Sequence, residues 1–562
     1  MKKTLFFLLL LCQISFSQTE YPQDYFRNPM EIPIVLAGTF AELRPNHFHA
    51  GLDIKTQQRE GLNVHTSAPG YVSRIKISHF GYGKALYVTH PNGYTTVYAH
   101  LQKFSDKIEK YIKECQYQKE TYEVEVFPTP DELPVTQDEI IALSGNTGGS
   151  FAPHLHFEIR DNEERPMNPM LFGLNVKDSR KPTINGIFAY AKNEKSHVNG
   201  SQKRIELRLI PTAGSDFNVE EIEALGDIGF GINTYDRLDD APNKNGVNSI
   251  QCFYNGSKHF EIDFKRFSYS ETKHINRLID FENYKTKHNY IQKLFVEQNN
   301  PLSLYKDVEN NGYVTVQDST SSVYKIRVKD FKDNDVWITI PIKGTELELP
   351  KQEEDIKPMY YALPGKATNL EKGNISVNIP QGTFYDDTYL DFDVKADTLL
   401  LGKDIVPLQK SFSIKYDISN YLDDDKEKLY IAELTGYNKT PRYLTTSRQG
   451  ETLAAKTKSL GTFTLESDLV PPTITPVNFY DGKWMSNATE LKVKIGDKDS
   501  GISNYRATIN GKWILMEYEY KKGTLTYNFE DNIISDTENN LKVIVTDNVG
   551  NSSTFEATFF RK

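Results

Sequence analysis

Residues 151–161, Phe-Ala-Pro-His-Leu-His-Phe-Glu-Ile-Arg-Asp, alternate with period two. An extended strand sends successive side chains to opposite faces, so His154, His156 and Glu158 share one side and Leu155, Phe157 and Ile159 the other. The apolar side is explained by a core; two histidines one residue apart on the polar side are not. The same alternation runs through residues 70–78, 84–90, 94–101 and 139–145. Gly81-Tyr82-Gly83 and Pro91-Asn92-Gly93 separate these runs as tight turns. Beyond residue 175 the pattern is strand, turn, strand throughout, punctuated by Asn255-Gly256, Asp481-Gly482 and Asn510-Gly511. The chain is therefore read as mainly β: an antiparallel β-sheet domain followed by several β-sandwich modules of immunoglobulin-like type. One stretch breaks the rule. Ile108, Tyr111, Ile112 and Cys115 fall at i, i+3, i+4, i+7, which predicts a helix over 105–118 inside a long charged connection, 102–138.

A length of 562 residues suggests three or four domains. Asp178-Ser-Arg-Lys-Pro182-Thr183-Ile184 is echoed by Asp468-Leu-Val-Pro-Pro472-Thr473-Ile474, each reading as a proline-stiffened linker into a first strand. A shift in composition near 350–355 marks another join. The expected division is a leader (1–17), a first domain (18–175), and β modules over 176–348, 349–467 and 468–562. The turn at 547–551 in the last of these resembles a common bacterial immunoglobulin-like module.

The leader rests on Lys2 and Lys3, an apolar run from Leu5 to Cys12, and Ser15-Phe16-Ser17 as a small-x-small cleavage site before Gln18. The run is too short to span a bilayer, and no later stretch approaches a membrane helix. The expectation is an exported protein of the periplasm, cell envelope or exterior. It keeps Cys115 and Cys252, whose separate contexts predict no disulfide. A net charge of −10 supplies no basic face for nucleic acid.

Eight of the 12 histidines precede residue 157 (His47, His49, His65, His79, His90, His100, His154 and His156), which places metal or acid–base chemistry in the first domain. In His47-Phe-His-Ala-Gly-Leu-Asp53, His49 and Asp53 share one face of an extended segment. On a straight strand they stand about 13 Å apart. They can meet at one ion only if the chain bends, and Gly51 is where a bend and room for a metal are expected. His156 can add a third ligand from across the sheet. Two histidines and one aspartate with an open fourth position match a catalytic zinc site.

With Tyr98-Ala99-His100-Leu101, Gly145-Asn146-Thr147-Gly148 and His154-Leu155-His156-Phe157-Glu158 following in order, residues 30–172 resemble the lysostaphin-type (LytM-domain) zinc metalloendopeptidases. The resemblance implies one zinc on His49, Asp53 and His156, with His154 and His100 as non-ligand catalytic histidines: a general base and a group that orients water or stabilises the oxyanion, roles interchangeable on sequence. Two departures concern the cleft rim: the long 102–138 connection, and Ser150-Phe151-Ala152-Pro153 where relatives carry Ser-Thr-Gly-Pro.

Other residues receive plainer expectations. His47 is assigned to the cleft wall or the surface, and His65, His79 and His90 to surface or turns. Glu158 is assigned to support of the ligands or to sheet structure, and the 145–149 loop to the cleft edge rather than a nucleotide. Asp497 to Gly501 is read as a turn rather than a calcium loop. The implied function is hydrolysis of peptide cross-bridges in peptidoglycan during cell-wall remodelling. The alternatives are a zinc peptidase acting on exported proteins and a non-catalytic envelope scaffold. Expected partners are the peptidoglycan or peptide substrate and an envelope protein met by the C-terminal modules, which are expected to be dispensable for bond cleavage.

Overall fold

The structure, a computed structural model, describes residues 20–349, 358–422 and 426–562. The expected leader and the join at 350–355 lie outside the described residues. Strands account for 46% and helices for 8%, so the molecule is built from sheets.

In the first domain, β1 (Leu36–Gly38), β2 (Leu52–Lys55), β3 (Gly70–Ile77), β4 (Lys84–Thr89), β5 (Thr95–Ala99), β6 (Val124–Val126) and β7 (His154–Arg160) form one antiparallel sheet in the order β1-β2-β7-β5-β4-β3-β6. The alternation read in residues 151–161 is realised in β7, where Leu155, Phe157 and Ile159 are fully buried. Register sets the chemistry. β7 lies between β2 and β5, with His156 opposite Asp53 on one side and Ala99 on the other. A small sheet of 63–65, 140–144 and 101–104 leans against it. The expected helix forms as α1 (Asp106–Lys119), burying Ile108 and Ile112 and ending in a left-handed Glu120.

Gly51 does sit in a bend, between the short strand His47–Phe48 and β2. The space it leaves is taken by β7 and not by a metal: a Cβ there would lie 2.2 Å from the Phe157 carbonyl oxygen.

Residues 183–344 form a second β unit whose sheets are joined by one 14-residue strand, Ile222–Tyr235. That strand pairs with Thr183–Ala191 at one end and with Asp335–Gly344 at the other, around Gly226 at φ +76°. Residues 360–467 carry two five-stranded sheets, and 473–560 a four- and a five-stranded sheet, each pair closing over its own core.

The first two units do not have separate cores. One hydrophobic cluster runs from Phe26 to Ile342, with Phe40 and Phe48 packed on Phe267 at 5.3 and 5.4 Å between ring centroids. It also takes in Leu515 of the last unit, which returns to the first domain. There Lys113 and Tyr117 of α1 bond Asp531, Arg506 pairs with Glu120, and the buried Lys84 ammonium meets Glu517 at 2.8 Å. The long connection is thus the surface on which the last unit seats.

Gly51→Ala is expected to cost about 3 kcal/mol or more, because a backbone carbonyl cannot step aside as a side chain can. Gly93→Ala, at φ +88° with open space around it, should cost only the left-handed penalty of about 1–2 kcal/mol. Denaturant melts of the two variants check the contrast; equal losses would place the constraint at residue 51 elsewhere.

Candidate metal centre

His49, Asp53 and His156 are brought together by the bend at 49–51 and the register of β2 with β7. Asp53 Oδ1 lies 2.9 Å from His49 Nε2 and 2.8 Å from His156 Nδ1, and the two nitrogens are 3.0 Å apart. All three side chains are buried. The 13 Å of a straight strand has collapsed to a contact because the chain turns between the two ligands.

The outer ring nitrogens fix which inner atoms carry lone pairs. His49 Nδ1 faces the Thr39 carbonyl at 2.7 Å and must donate there, leaving Nε2 as an acceptor. His156 Nε2 faces Glu158 Oε1 at 2.9 Å, leaving Nδ1 free. Two imidazole lone pairs and a carboxylate oxygen therefore converge within 3.0 Å, an arrangement that repels itself unless a cation or proton sits among them. This is the tautomer control by outer hydrogen bonds that metal-binding histidines use. The surroundings favour positive charge as well. Burial alone pushes the His156 imidazolium down, but bonds to Asp53 and Glu158 hold it up to about 9. Burial likewise opposes the Asp53 carboxylate, yet the histidines around it, His49 first, keep it well below the usual carboxylate range. The donor set fits zinc: two nitrogens, one carboxylate oxygen, and a face open to the cleft.

His154 and His100 stand beside the ligands. His154 Nδ1 donates to the Ala152 carbonyl at 2.8 Å, and Nε2 points inward, 3.4 Å from Asp53 Oδ1. His100 Nδ1 donates to the Thr147 carbonyl at 2.8 Å, and its ring lies 4.7 Å from that of His154. His100 holds a left-handed backbone, φ +60°, at the corner where β5 ends. Burial, then His154, holds its imidazolium down at about 3, so it is neutral at ordinary pH. Both rings line a cleft of about 1310 Å³ with Arg44, Lys55, Phe151, Pro153, Asp240 and Pro242.

Along with Glu158, for which support of the ligands was one expectation, stand several residues given no such role from sequence. Arg44 Nη2 donates to Asp53 Oδ2 at 2.7 Å, leaving Oδ1 to the histidines. Glu158, now seen bonding His156, is buried on Arg160 Nε at 2.7 Å and accepts from Tyr82. Tyr269, from the second β unit, donates to Glu158 Oε2 at 3.1 Å and accepts from Arg160 Nη2 at 2.8 Å. Lys521, from the last unit, donates to the carbonyls of Asn146, Gly148 and Ser150 in the loop leading to His154. The modules expected to be dispensable for cleavage thus hold both the ligand shell and the cleft rim. Arg160 was legible, lying two residues beyond Glu158 on the same face; Arg44, Tyr82, Tyr269 and Lys521 become neighbours only through topology.

His47 is exposed and turned to the Pro45 carbonyl, away from the ligands. Of the surface-or-turn assignments, the surface one fails for His65 and His90, which are buried, while His90 does open the tight turn that the Gly93 amide closes on its carbonyl at 3.0 Å. His65 bonds the Asp138 carbonyl; His90 bridges Pro69 and Thr96 under Tyr25 and Phe26. His79 is half-buried, stacked on Tyr122 and touching Tyr518 of the last unit.

Residues 47–117 match Peptidase family M23, and residues 360–468 match the Zu5-like domain. The DD-carboxypeptidase/endopeptidase Mpg of Neisseria meningitidis serogroup B is 34% identical over 126 residues, 22% of this chain and 23% of that protein. An uncharacterized metalloprotease of Haemophilus influenzae is 33% identical over 122 residues, 22% of this chain and 20% of that one. The chain therefore matches less than a quarter of the length of these curated relatives. Among solved structures, the catalytic domain of the antimicrobial peptidase lysostaphin from Staphylococcus simulans is 23% identical, covering 25% of this chain and 93% of that one at a TM-score of 0.19. A zinc containing peptidase from Vibrio cholerae is 23% identical, covering 27% and 40% at a TM-score of 0.20.

Glu158→Gln is expected to weaken zinc binding about 10–100-fold by releasing the His156 tautomer. Tyr269→Phe, which removes one of several partners of Glu158, should weaken it less. Competition with a chromogenic chelator measures both, and unchanged affinity in Glu158→Gln would remove Glu158 from the support of the ligand.

Proposed function

We propose that this chain, whose first domain belongs to the lysostaphin-type (LytM) metallopeptidase family, is an exported zinc endopeptidase that cuts peptide cross-bridges in peptidoglycan. The observation that carries this reading is the convergence of three lone-pair donors, from His49, Asp53 and His156, at a large cleft where two further imidazoles present free nitrogens. Zinc held by these three supplies a Lewis acid that makes water nucleophilic near neutral pH.

The remaining work falls to the chain's own groups. His154 Nε2 carries a lone pair at the open face, so it can take a proton from the attacking water and return it to the leaving amine. His100, neutral and fixed through Nδ1, has its other ring nitrogen available to orient that water or meet the developing oxyanion. Arg44 keeps Asp53 charged and oriented. The cleft accepts an extended peptide between a wall from the first domain (Leu43, Arg44 and Phe151) and Asp240 and Pro242 from the second unit. The name of the Neisseria relative, DD-carboxypeptidase/endopeptidase, supports a cell-wall peptide over a general protein substrate.

The test uses the full chain from Gln18, incubated with purified sacculi and separately with casein, with and without chelator. Soluble peptide-containing fragments should leave the sacculi, stop with chelator and return with zinc, while casein stays intact. Cleaved casein with intact sacculi would move the substrate to exported proteins; no cleavage of either by zinc-loaded protein would favour a scaffold. His154→Ala should keep its zinc and lose about 10²–10⁴ in rate. Loss of metal from that variant would make His154 a ligand and overturn the division of roles.

A further inference from the structure

Asp178, Asp236 and Asp330 gather where the first domain passes into the second β unit, offering carboxylate oxygens all within 4.8 Å of one another. Asp178 sits in the linker, Asp236 just beyond the strand Ile222–Tyr235, and Asp330 in the turn after Ser321–Lys329. Asp236 and Asp330 are each 2% exposed. Like charges buried this way are normally neutralised by Lys or Arg, yet among the described residues none of the three carboxylates has an ion-pair partner. Asp236 Oδ1 is buried with no hydrogen-bond partner at all. Asp178 and Asp236 also line a cavity of about 20 Å³, room for a single ion or water. Burial and the neighbouring carboxylates push both Asp236 and Asp330 up to about 7, the mark of a site short of positive charge.

The chain contains an internal comparison. The second copy of the linker echo, Asp468, gathers with Asp497 and Asp547. In both clusters the turn aspartate is bonded by an asparagine four residues later: Asn334 to Asp330 and Asn551 to Asp547, each at 2.7 Å. The linker acids are alike, Asp178 accepting from the Arg180 amide as Asp468 does from that of Val470; the clusters differ at the acid just beyond the strand, Asp236 in one and Asp497 in the other. Asp468 accepts from the amides of Val470 and Ser500, and Asp497 from those of Asp499 and Gly501. In the first cluster no donor reaches Asp236 Oδ1. Where one copy uses N–H groups, the other leaves an orphan oxygen beside a cavity.

We propose that Asp178, Asp236 and Asp330 bind one calcium ion, which closes the base of the loop 237–244 and so fixes one wall of the cleft. The donors are hard oxygens without nitrogen or sulfur, which selects calcium over zinc, and a cluster drawn from three separate segments suits calcium's flexible coordination better than magnesium's strict octahedron. Half-exposed Asp178 gives the ion a way in. The loop is closed at its base by two backbone bonds between Asp236 and Asn245, 2.9 and 2.8 Å. Its Asn243 bonds Lys55 and the Ala37 carbonyl, and Asp240 and Pro242 line the cleft. Next to it, the Gly246 amide donates to Thr39 Oγ1, and the Thr39 carbonyl is the one that fixes His49. The ion would therefore brace the cleft without touching the zinc ligands.

The test is a calcium titration of the full-length, zinc-loaded chain in calcium-free buffer, followed by calorimetry, melting temperature and amide exchange. Saturable binding is expected in the range of about 10⁻⁵–10⁻³ M, raising the melting temperature and slowing exchange at 237–246 at least tenfold, with magnesium giving a weaker response. Asp236→Asn should lose the exchange response at 237–246 and bind calcium there at least tenfold more weakly. Without calcium it should melt no lower than the wild type, since one of three repelling charges is gone; that melt also shows that the variant folds. Asp178→Asn, at the half-exposed position, should behave the same way. No saturable response in the wild type, or a wild-type response at 237–246 in both variants, overturns the site. An equal response to magnesium overturns the choice of calcium. None of these readouts depends on peptidase activity.

Discussion

The Asp53 carboxylate is the interaction on which the first domain is organised. It is buried, and each oxygen has a separate duty: Oδ2 accepts from Arg44, and Oδ1 faces His49, His156 and His154. An isolated carboxylate in that position would cost several kcal/mol and would take up a proton instead. Holding it charged requires β2 and β7 to be neighbours in one register, with Asp53 directly opposite His156. A slip of one residue would put Leu155 at the ligand position and send His156 into the core. The apolar alternation of β7 and the chemistry of its polar face therefore enforce one another.

Positive and negative charge alternate outward from that point. His156 passes to Glu158, Glu158 to Arg160, and Arg160 to Glu164 at the surface. Such a chain lets each buried ion be paired, which matters because a buried charge left without its partner is far more costly than the pair is favourable. Tyr82 and Tyr269 close the sides, and Tyr269 arrives from the second β unit. The ligand shell is thus completed by residues outside the segment that carries the motifs.

How much of this was legible follows from the kind of information each feature needs. Strand periodicity is local, so the β class, the helix near 105–118 and the shared face of His154, His156 and Glu158 could be read directly. The bend that joins His49 to Asp53 was readable at Gly51, although its cause is the close approach of the Phe157 carbonyl. Burial of single histidines was not readable. His90 ends a strand buried on both faces, and the N-terminal segment with Tyr25 and Phe26 covers it, a contact that spans some 65 residues of sequence. The common core of the first two units was missed for the same reason: Phe40, Phe48 and Phe267 look like ordinary strand aromatics until they face one another.

The long connection shows why an apparent irregularity can be the ordered part. Sequence marks 102–138 as a charged interruption in a compact sheet. In the fold its helix is the seat of the last β unit, which reaches back over some 400 residues to place Glu517 on the buried Lys84 and Lys521 on the 145–150 carbonyls. Lys84 is nearly inaccessible, and its charge is met by Glu517 of the last unit together with the Gln102 carbonyl of the first domain. The same contact orders the glycine-rich loop that carries the Thr147 carbonyl under His100 and leads into His154. A loop with three glycines and no regular secondary structure has little stiffness of its own, and three carbonyls drawn to one ammonium supply it. The face of the sheet that carries the histidine–aspartate cluster is therefore shaped from outside the first domain on both flanks, by Tyr269 behind the cluster and by Lys521 in front of it.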